Sequence, residues 1–152
     1  GMRVVYSGRS PVDESTAVEL EAEHLPLDQL LGVADFVSLH CPATPDTRNL
    51  INARTFALMR NEAMLINTAR GDVVAEDDLI RALQDGVIAG AGLDVYAQEP
   101  RVPAELLALE QVVLLPHMGS GTQETREAMG LCALENIEAH FAKRVLPNAV
   151  VQ

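Results

Sequence analysis

Short runs of apolar residues alternate along this chain with longer stretches in which apolar residues recur at helical spacing, a pattern typical of a parallel α/β sheet. The short runs predict strands at Val4–Tyr6, Phe36–Leu39, Met64–Asn67, Ile88–Leu93 and Val112–Leu115, with a weaker one near Val18–Leu20. The longer stretches predict helices at Leu27–Leu31, Ala53–Met59, Glu76–Gln84 and Pro103–Ala108, and a long one from Thr122 to about Ala142. The polar stretch from Ser7 to Glu14 is expected to be a surface loop.

A polar turn follows each of three predicted strands. Arg70 follows the strand at Met64–Asn67, Glu99 comes shortly after Ile88–Leu93, and His117 follows Val112–Leu115. The carboxyl ends of parallel strands lie side by side and form the binding crevice of an open sheet. We therefore expect an arginine, a glutamate and a histidine to meet at one site.

These three side chains suit the reduction of a 2-keto acid. The guanidinium of Arg70 can bind a carboxylate through two donors and polarise the neighbouring carbonyl oxygen. His117 is the natural proton donor to the developing alkoxide, because its pKa starts near the working pH, and Glu99 would orient the imidazole. None of the three supplies a hydride, so a nicotinamide cofactor is implied.

Each residue also has a plainer interpretation when it is taken singly. Arg70 could be a surface arginine at a helix start, His117 a hydrogen-bonded histidine at a strand end, and Glu99-Pro100 a simple turn. Their joint placement after three strands of one sheet favours the catalytic interpretation over these alternatives.

Composition narrows the choice of partners. The chain has 152 residues, enough for one domain, and a formal net charge of -11, which argues against binding nucleic acid or an anionic membrane. Cys41 and Cys132 show neither zinc-like spacing nor a disulfide framework, so no metal site is predicted. With no secretory signal and no long apolar run visible, a cytoplasmic location is expected.

The motifs resemble those of the D-isomer-specific 2-hydroxyacid dehydrogenases, the family that contains phosphoglycerate, formate, glyoxylate and hydroxypyruvate enzymes. Four blocks carry the resemblance, in the family's order and spread over nearly the whole chain. They are Leu30 to Pro42 with Thr47 and Leu50, Leu65 to Val74, Gly92 to Val95 with Glu99-Pro100, and Pro116 to Ser120 with Thr122.

The resemblance implies a Rossmann-type parallel sheet with flanking helices, and it implies roles for particular residues. Arg70 is then the substrate-binding arginine, Glu99 the glutamate of the proton relay and His117 the acid/base histidine. The family lines its cofactor at the positions of Pro42, Thr47, Thr68, Ala69, Asp94, Gly119 and Ser120. The ligands implied are a nicotinamide cofactor and a small 2-keto or 2-hydroxy acid, of the glyoxylate or hydroxypyruvate type.

Two parts of the family pattern do not occur in this sequence: the opening strand, glycine-rich loop and helix, and a separate substrate-binding domain. We therefore expect residues 1–152 to be a partial dinucleotide-binding domain, either a fragment or a natural short protein, with weak cofactor binding and little activity by itself. In the doubly wound order the first strand is central, so a gap is expected between the strands at Val4–Tyr6 and Phe36–Leu39. The chain would close it by rearranging, by pairing with a second copy as a homodimer, or by remaining poorly ordered at its amino end.

The loop after the first strand bears on the choice of cofactor. An acidic residue there usually binds the adenosine ribose 2′-hydroxyl of NAD(H), whereas an arginine accommodates the 2′-phosphate of NADP(H). Ser7, Arg9 and Ser10 offer hydroxyls and a guanidinium, and no acid appears before Asp13. The loop therefore favours NADP(H), although a merely solvated basic loop is a serious alternative.

Two further hypotheses remain open at this point. The chain could be a non-catalytic domain that serves only in nucleotide binding or oligomerisation, or it could be one half of a split enzyme. In either case its motifs would be inherited from a dehydrogenase.

Overall fold

The computed structural model describes residues 1–150. Its strands are β1 Val4–Tyr6, β2 Ala22–His24, β3 Phe36–Leu39, β4 Met64–Asn67, β5 Gly90–Leu93 and β6 Val112–Leu114. Its helices are α1 Glu14–Glu19, α2 Leu27–Val33, α3 Ala53–Phe56, α4 Glu76–Gln84, α5 Ala104–Leu107 and α6 Gln123–Phe141, with a 3-10 turn at Gly71–Val73.

The strands form two parallel sheets. Four of them pair in the order β3-β4-β5-β6, and β1 pairs with β2 in a separate two-stranded sheet. Helices separate the successive strands of the larger sheet, so the predicted α/β Rossmann-type class is confirmed. Within residues 1–150, β1 and β3 belong to different sheets and do not pair with each other, as expected from the sequence.

The amino-terminal part differs from the prediction in one element. The weak strand expected near Val18–Leu20 is wrong, because α1 covers Glu14–Glu19 and the second strand lies at Ala22–His24. The carboxylate of Asp13 caps this helix by accepting a hydrogen bond from the Thr16 amide at 3.0 Å. This N-cap favours a helix over the strand that the apolar residues alone suggest.

The two faces of the four-stranded sheet have different surroundings. One face carries buried Val37 and Leu65, which belong to a core cluster with helix residues such as Leu31 and Leu79. The opposite face is open, since Phe36 is 60% exposed and Val113 is 64% exposed. The helices of the first unit thus cover one side of the sheet only.

The chain divides into two compact units, residues 1–117 and 118–152. The described part of the second unit holds α6, whose first turn is capped by the Thr122 side chain, and a short tail that returns to the helix. The Arg144 amide donates to the Ala139 carbonyl at 2.8 Å, and Ala139 is buried. The predicted long helix is confirmed, and no helix in the described range is long and apolar enough to cross a membrane.

Candidate active site

The neighbouring strands β4, β5 and β6 end side by side. Asn67 lies opposite Leu93, and Leu93 lies opposite Leu114, so the turns that follow start at the same edge of the sheet. This is the edge at which open parallel sheets bind their ligands.

The turn that carries Arg70 is held by Asn67, whose side chain is buried. The Asn67 amide group donates to the Arg70 carbonyl at 3.0 Å and accepts from the Ala69 amide at 3.1 Å. The Arg70 side chain itself is solvent-accessible and donates to the Ala69 carbonyl at 2.6 Å. Sequence reasoning missed this structural role of Asn67, although an asparagine at the end of an apolar strand is a signal for such a turn.

The structure brings Glu99 and His117 into direct contact. His117 Nδ1 lies 2.6 Å from Glu99 Oε2, and the other carboxylate oxygen accepts the Tyr96 amide at 3.1 Å. A carboxylate is an acceptor, so Nδ1 donates the proton in this contact, and Nε2 is the ring nitrogen that does not contact Glu99. His117 also has a φ of 53°, an uncommon conformation for a residue other than glycine and one that functional sites often contain.

The charge of Arg70 acts on the Glu99 carboxyl, which is paired with His117. The pKa of Glu99 lies below its ordinary value, first because of the hydrogen bond with His117, then because of the Tyr96 amide, with smaller contributions from the charges of His117 and Arg70. Glu99 is therefore ionised at neutral pH beside the imidazole. The guanidinium is near enough to act on the same carboxylate.

A cavity of about 480 Å³ opens beside Arg70. It is bounded by the segments that follow β3 and β4, and its lining consists of Leu39, His40, Cys41, Pro42, Ala43, Thr68, Ala69 and Arg70. Thr47 lies outside this lining but donates to the Pro42 carbonyl at 2.6 Å. Three predicted cofactor positions therefore share one cavity with the arginine, and a fourth fixes the loop that forms its wall.

Asp94 lies directly after β5 and is buried. Its amide donates to the Asn67 carbonyl at 3.0 Å, which links the ends of β4 and β5. Asp94, one of the predicted cofactor-binding positions, therefore lies at the carboxyl edge of the sheet.

The remaining predicted cofactor positions lie elsewhere in the chain. Ser7, Arg9 and Ser10 form an exposed loop directly after β1, and Arg9 makes no ion pair with any residue between 1 and 150. Gly119 and Ser120 belong to the second unit. A larger cavity of about 590 Å³ is lined by residues of α4, by Gln98 and Arg101, and by residues 103–105, and none of these lining residues is a predicted site residue.

Comparison with known proteins gives the family. Residues 1–119 match the model for the NAD binding domain of D-isomer specific 2-hydroxyacid dehydrogenases. The chain is 43% identical over 150 residues to a glyoxylate reductase of Thermococcus litoralis, covering 99% of this chain and 45% of that protein. It is 44% identical over 147 residues to a glyoxylate reductase/hydroxypyruvate reductase of Mus musculus, covering 96% of this chain and 44% of that protein.

A solved structure agrees with these relatives. The NADPH-dependent glyoxylate/hydroxypyruvate reductase of Sinorhizobium meliloti, in complex with NADP and malonate, superimposes with a TM-score of 0.89 at 36% identity, covering 98% of this chain and 46% of that one. The chain thus spans about half the length of the proteins it matches. On the family match and these identities, it belongs to the D-isomer specific 2-hydroxyacid dehydrogenases, of which it carries the NAD-binding domain.

Proposed function

We propose that this chain is the cofactor-binding and proton-donating part of a reductase for small 2-keto acids of the glyoxylate or hydroxypyruvate type. The proposal rests on the contact of His117 with Glu99. The charge of Arg70 also lowers the pKa of the Glu99 carboxyl. The glyoxylate and hydroxypyruvate reductases among the relatives support the substrate class.

In this mechanism Arg70 binds the substrate carboxylate and polarises the keto oxygen. His117 donates a proton from Nε2 to that oxygen, while Glu99 holds the ring through Nδ1 and stabilises its cationic form. The nicotinamide supplies the hydride when it is bound. Small side chains at Ala43 and Ala69 leave room in the cavity beside Arg70, and Pro42 and Thr68 line it, so these residues fit a planar cofactor ring.

We infer a preference for NADP(H) over NAD(H) from the loop after β1. Arg9 has no acidic partner in the described chain, so its guanidinium is available for a 2′-phosphate. The nearest acid along the sequence, Asp13, caps α1, because its carboxylate accepts hydrogen bonds from the amide and the hydroxyl of Thr16. Ser7 and Ser10 add hydroxyls on either side of Arg9. The Sinorhizobium meliloti enzyme, with NADP bound, is consistent with this preference.

The preference is tested in a chimaera, in which this chain replaces the aligned 150 residues of the Thermococcus litoralis glyoxylate reductase. Arg9→Asp should shift the ratio of kcat/KM for NADPH and NADH toward NADH by about ten- to a hundred-fold, because a charge-assisted contact contributes about 1.5 to 3 kcal/mol. Arg144→Asp makes the same charge change in the tail of the second unit and serves as the control. An unchanged ratio in Arg9→Asp refutes the NADP(H) assignment.

The same chimaera tests the substrate role of Arg70. Arg70→Ala should lower kcat/KM for glyoxylate with either cofactor and leave the NADPH to NADH ratio unchanged. Full activity of Arg70→Ala would refute the proposed reaction at this site.

A second candidate function is oligomerisation, in which the chain forms a homodimer. The open sheet face with Phe36 and Val113 favours it, because exposed apolar patches on a sheet commonly mark interfaces. The two functions are compatible, since the candidate site lies at the carboxyl edge of the sheet and not on its open face.

A further inference from the structure

We propose that Tyr96 is a positioning residue that holds the turns of Arg70, Glu99 and His117 in one arrangement. The inference rests on the proposed function and deepens it, because it assigns the residue that aligns the proton donor. Three separate contacts of Tyr96 carry it, one toward each turn.

The first contact fixes Glu99. The backbone amide of Tyr96 donates to Glu99 Oε1 at 3.1 Å, while Oε2 faces His117 Nδ1 at 2.6 Å. The two carboxylate oxygens therefore have separate partners. The Tyr96 amide fixes the orientation of the carboxylate, and the oxygen that it leaves free contacts the imidazole.

The second contact fixes the strand end that carries His117. The Tyr96 hydroxyl donates to the Leu115 carbonyl at 2.7 Å, two residues before the histidine. Tyr96 is 7% exposed, so this hydrogen bond is formed away from bulk solvent. Burial, followed by the charge of Asp94, raises the pKa of the phenol, so the hydroxyl remains a donor at all working pH values.

The third contact fixes the turn that carries Arg70. A Cβ placed on Gly71 would lie 2.0 Å from the carbonyl carbon and oxygen of Tyr96, so the two backbones touch and only glycine fits there. The neighbouring Ala97 amide is held by Glu76 Oε2 at 3.2 Å, which anchors the segment to α4. Tyr96 thus contacts the residue next to Arg70, the carboxylate of Glu99 and the strand end before His117.

The alternative to a positioning role is that Tyr96 only fills space in the core with its ring. Tyr96→Phe separates the two roles, because it keeps the ring and the backbone contacts and removes only the hydroxyl, with its hydrogen bond to the Leu115 carbonyl and a longer one of 3.4 Å to the Leu93 carbonyl. Tyr6→Phe is the matched control, since the Tyr6 hydroxyl accepts the Val12 amide at 3.0 Å and the chain has two tyrosines in all.

The first measurement uses the 152-residue chain and the ¹⁵N spectrum of the histidine rings. His117 in the parent chain should show the signature of a protonated Nδ1 bonded to a carboxylate, and Glu99→Gln should remove it. Tyr96→Phe should weaken this signature, whereas Tyr6→Phe should leave it unchanged. An unaltered His117 signature in folded Tyr96→Phe overturns the proposal.

The second measurement is kinetic and uses the chimaera. Tyr96→Phe should lower kcat about ten-fold, the size of one net hydrogen bond, with KM for glyoxylate within about two-fold. If Glu99→Gln lowers kcat but Tyr96→Phe does not, the positioning role is wrong and the proposed function stands. If Glu99→Gln also leaves kcat unchanged, the proposed function fails, and the positioning role fails with it.

If Tyr96→Phe fails to fold, the coupling between Tyr96 and His117 is measured by changing His117 and observing Tyr96. His117→Gln changes an exposed side chain and should shift the amide and ring resonances of Tyr96, because coupling between two groups is reciprocal. Unshifted Tyr96 resonances in that variant overturn the proposal.

Discussion

Adding one methyl group at Gly71 should destabilise this chain strongly. The new Cβ would lie 2.0 Å from the Tyr96 carbonyl carbon and oxygen and 2.5 Å from the Ala97 nitrogen. Carbon atoms normally approach to about 3.5 to 4.0 Å, so the two backbone segments must separate by roughly 1.5 Å. All three crowded atoms belong to the backbone, so no side-chain rotation relieves the contact.

The cost can be worked from that geometry. Overpacking of this kind costs about 1 to 3 kcal/mol, and the strained segment also carries the Tyr96 amide bond to Glu99 and the Ala97 amide bond to Glu76. Loss of either adds about 1 kcal/mol. The lower entropy of alanine in the unfolded chain offsets about 0.4 to 1 kcal/mol. We expect Gly71→Ala to lower the free energy of unfolding by about 2 to 3 kcal/mol.

Urea denaturation of the 152-residue chain, followed by circular dichroism, measures this change. Gly32→Ala is the matched control, because Gly32 lies inside α2 and its added Cβ would be 3.8 Å from the Leu58 carbonyl, an ordinary contact. Alanine is the better helix former there, so the control should gain about 0.5 to 1 kcal/mol. Equal stability of Gly71→Ala and the parent chain would refute the close packing of the Arg70 turn on Tyr96.

Three more predictions follow from exposure and charge. The 152-residue chain, assayed by itself with NADPH or NADH, should turn over glyoxylate or hydroxypyruvate far more slowly than about 1 per second. The reason is that the Arg70 and His117 side chains face open solvent. Turnover at ordinary enzyme rates would contradict this prediction. The open sheet face should drive self-association, so sedimentation velocity should show a dimer or larger species at micromolar concentration, and a folded monomer would count against it. The folded pKa of Glu99 lies below its ordinary 4.5, so its stabilising contribution is present above about that pH and is lost as the pH falls through the folded pKa. The urea midpoints of the parent chain and Glu99→Gln should therefore differ most at neutral pH and converge in acid, and a constant difference would show that Glu99 gains nothing from His117.

The larger sheet and the three candidate catalytic residues could be predicted because both follow from local patterns. Apolar runs such as Met64–Asn67 mark buried strands, and the polar turn after each run must lie at the carboxyl edge of a parallel sheet. The fold class and the contact of Glu99 with His117 agree with that expectation. The roles proposed for these residues in the reaction stay predictions.

The errors and omissions of the predictions from the sequence have physical causes. The apolar residues near Val18–Leu20 resemble a strand, but the Asp13 cap starts a helix there, and capping depends on backbone geometry that periodicity does not show. The part played by Tyr96 depends on a contact between segments that are distant in sequence, since 19 positions separate Tyr96 from Leu115. Such contacts exist only once the strands have been placed side by side.

The central claim is that Glu99 and His117 act as one unit in the reaction. A double-mutant cycle in the chimaera tests it most directly, with kcat/KM for glyoxylate and NADPH as the measured quantity. We expect Glu99→Gln and His117→Gln each to lower kcat/KM by about a hundred-fold or more, and the double variant to lose little beyond the worse single variant. Full activity in either single variant, or a loss in the double variant equal to the product of the two single losses, would contradict the account.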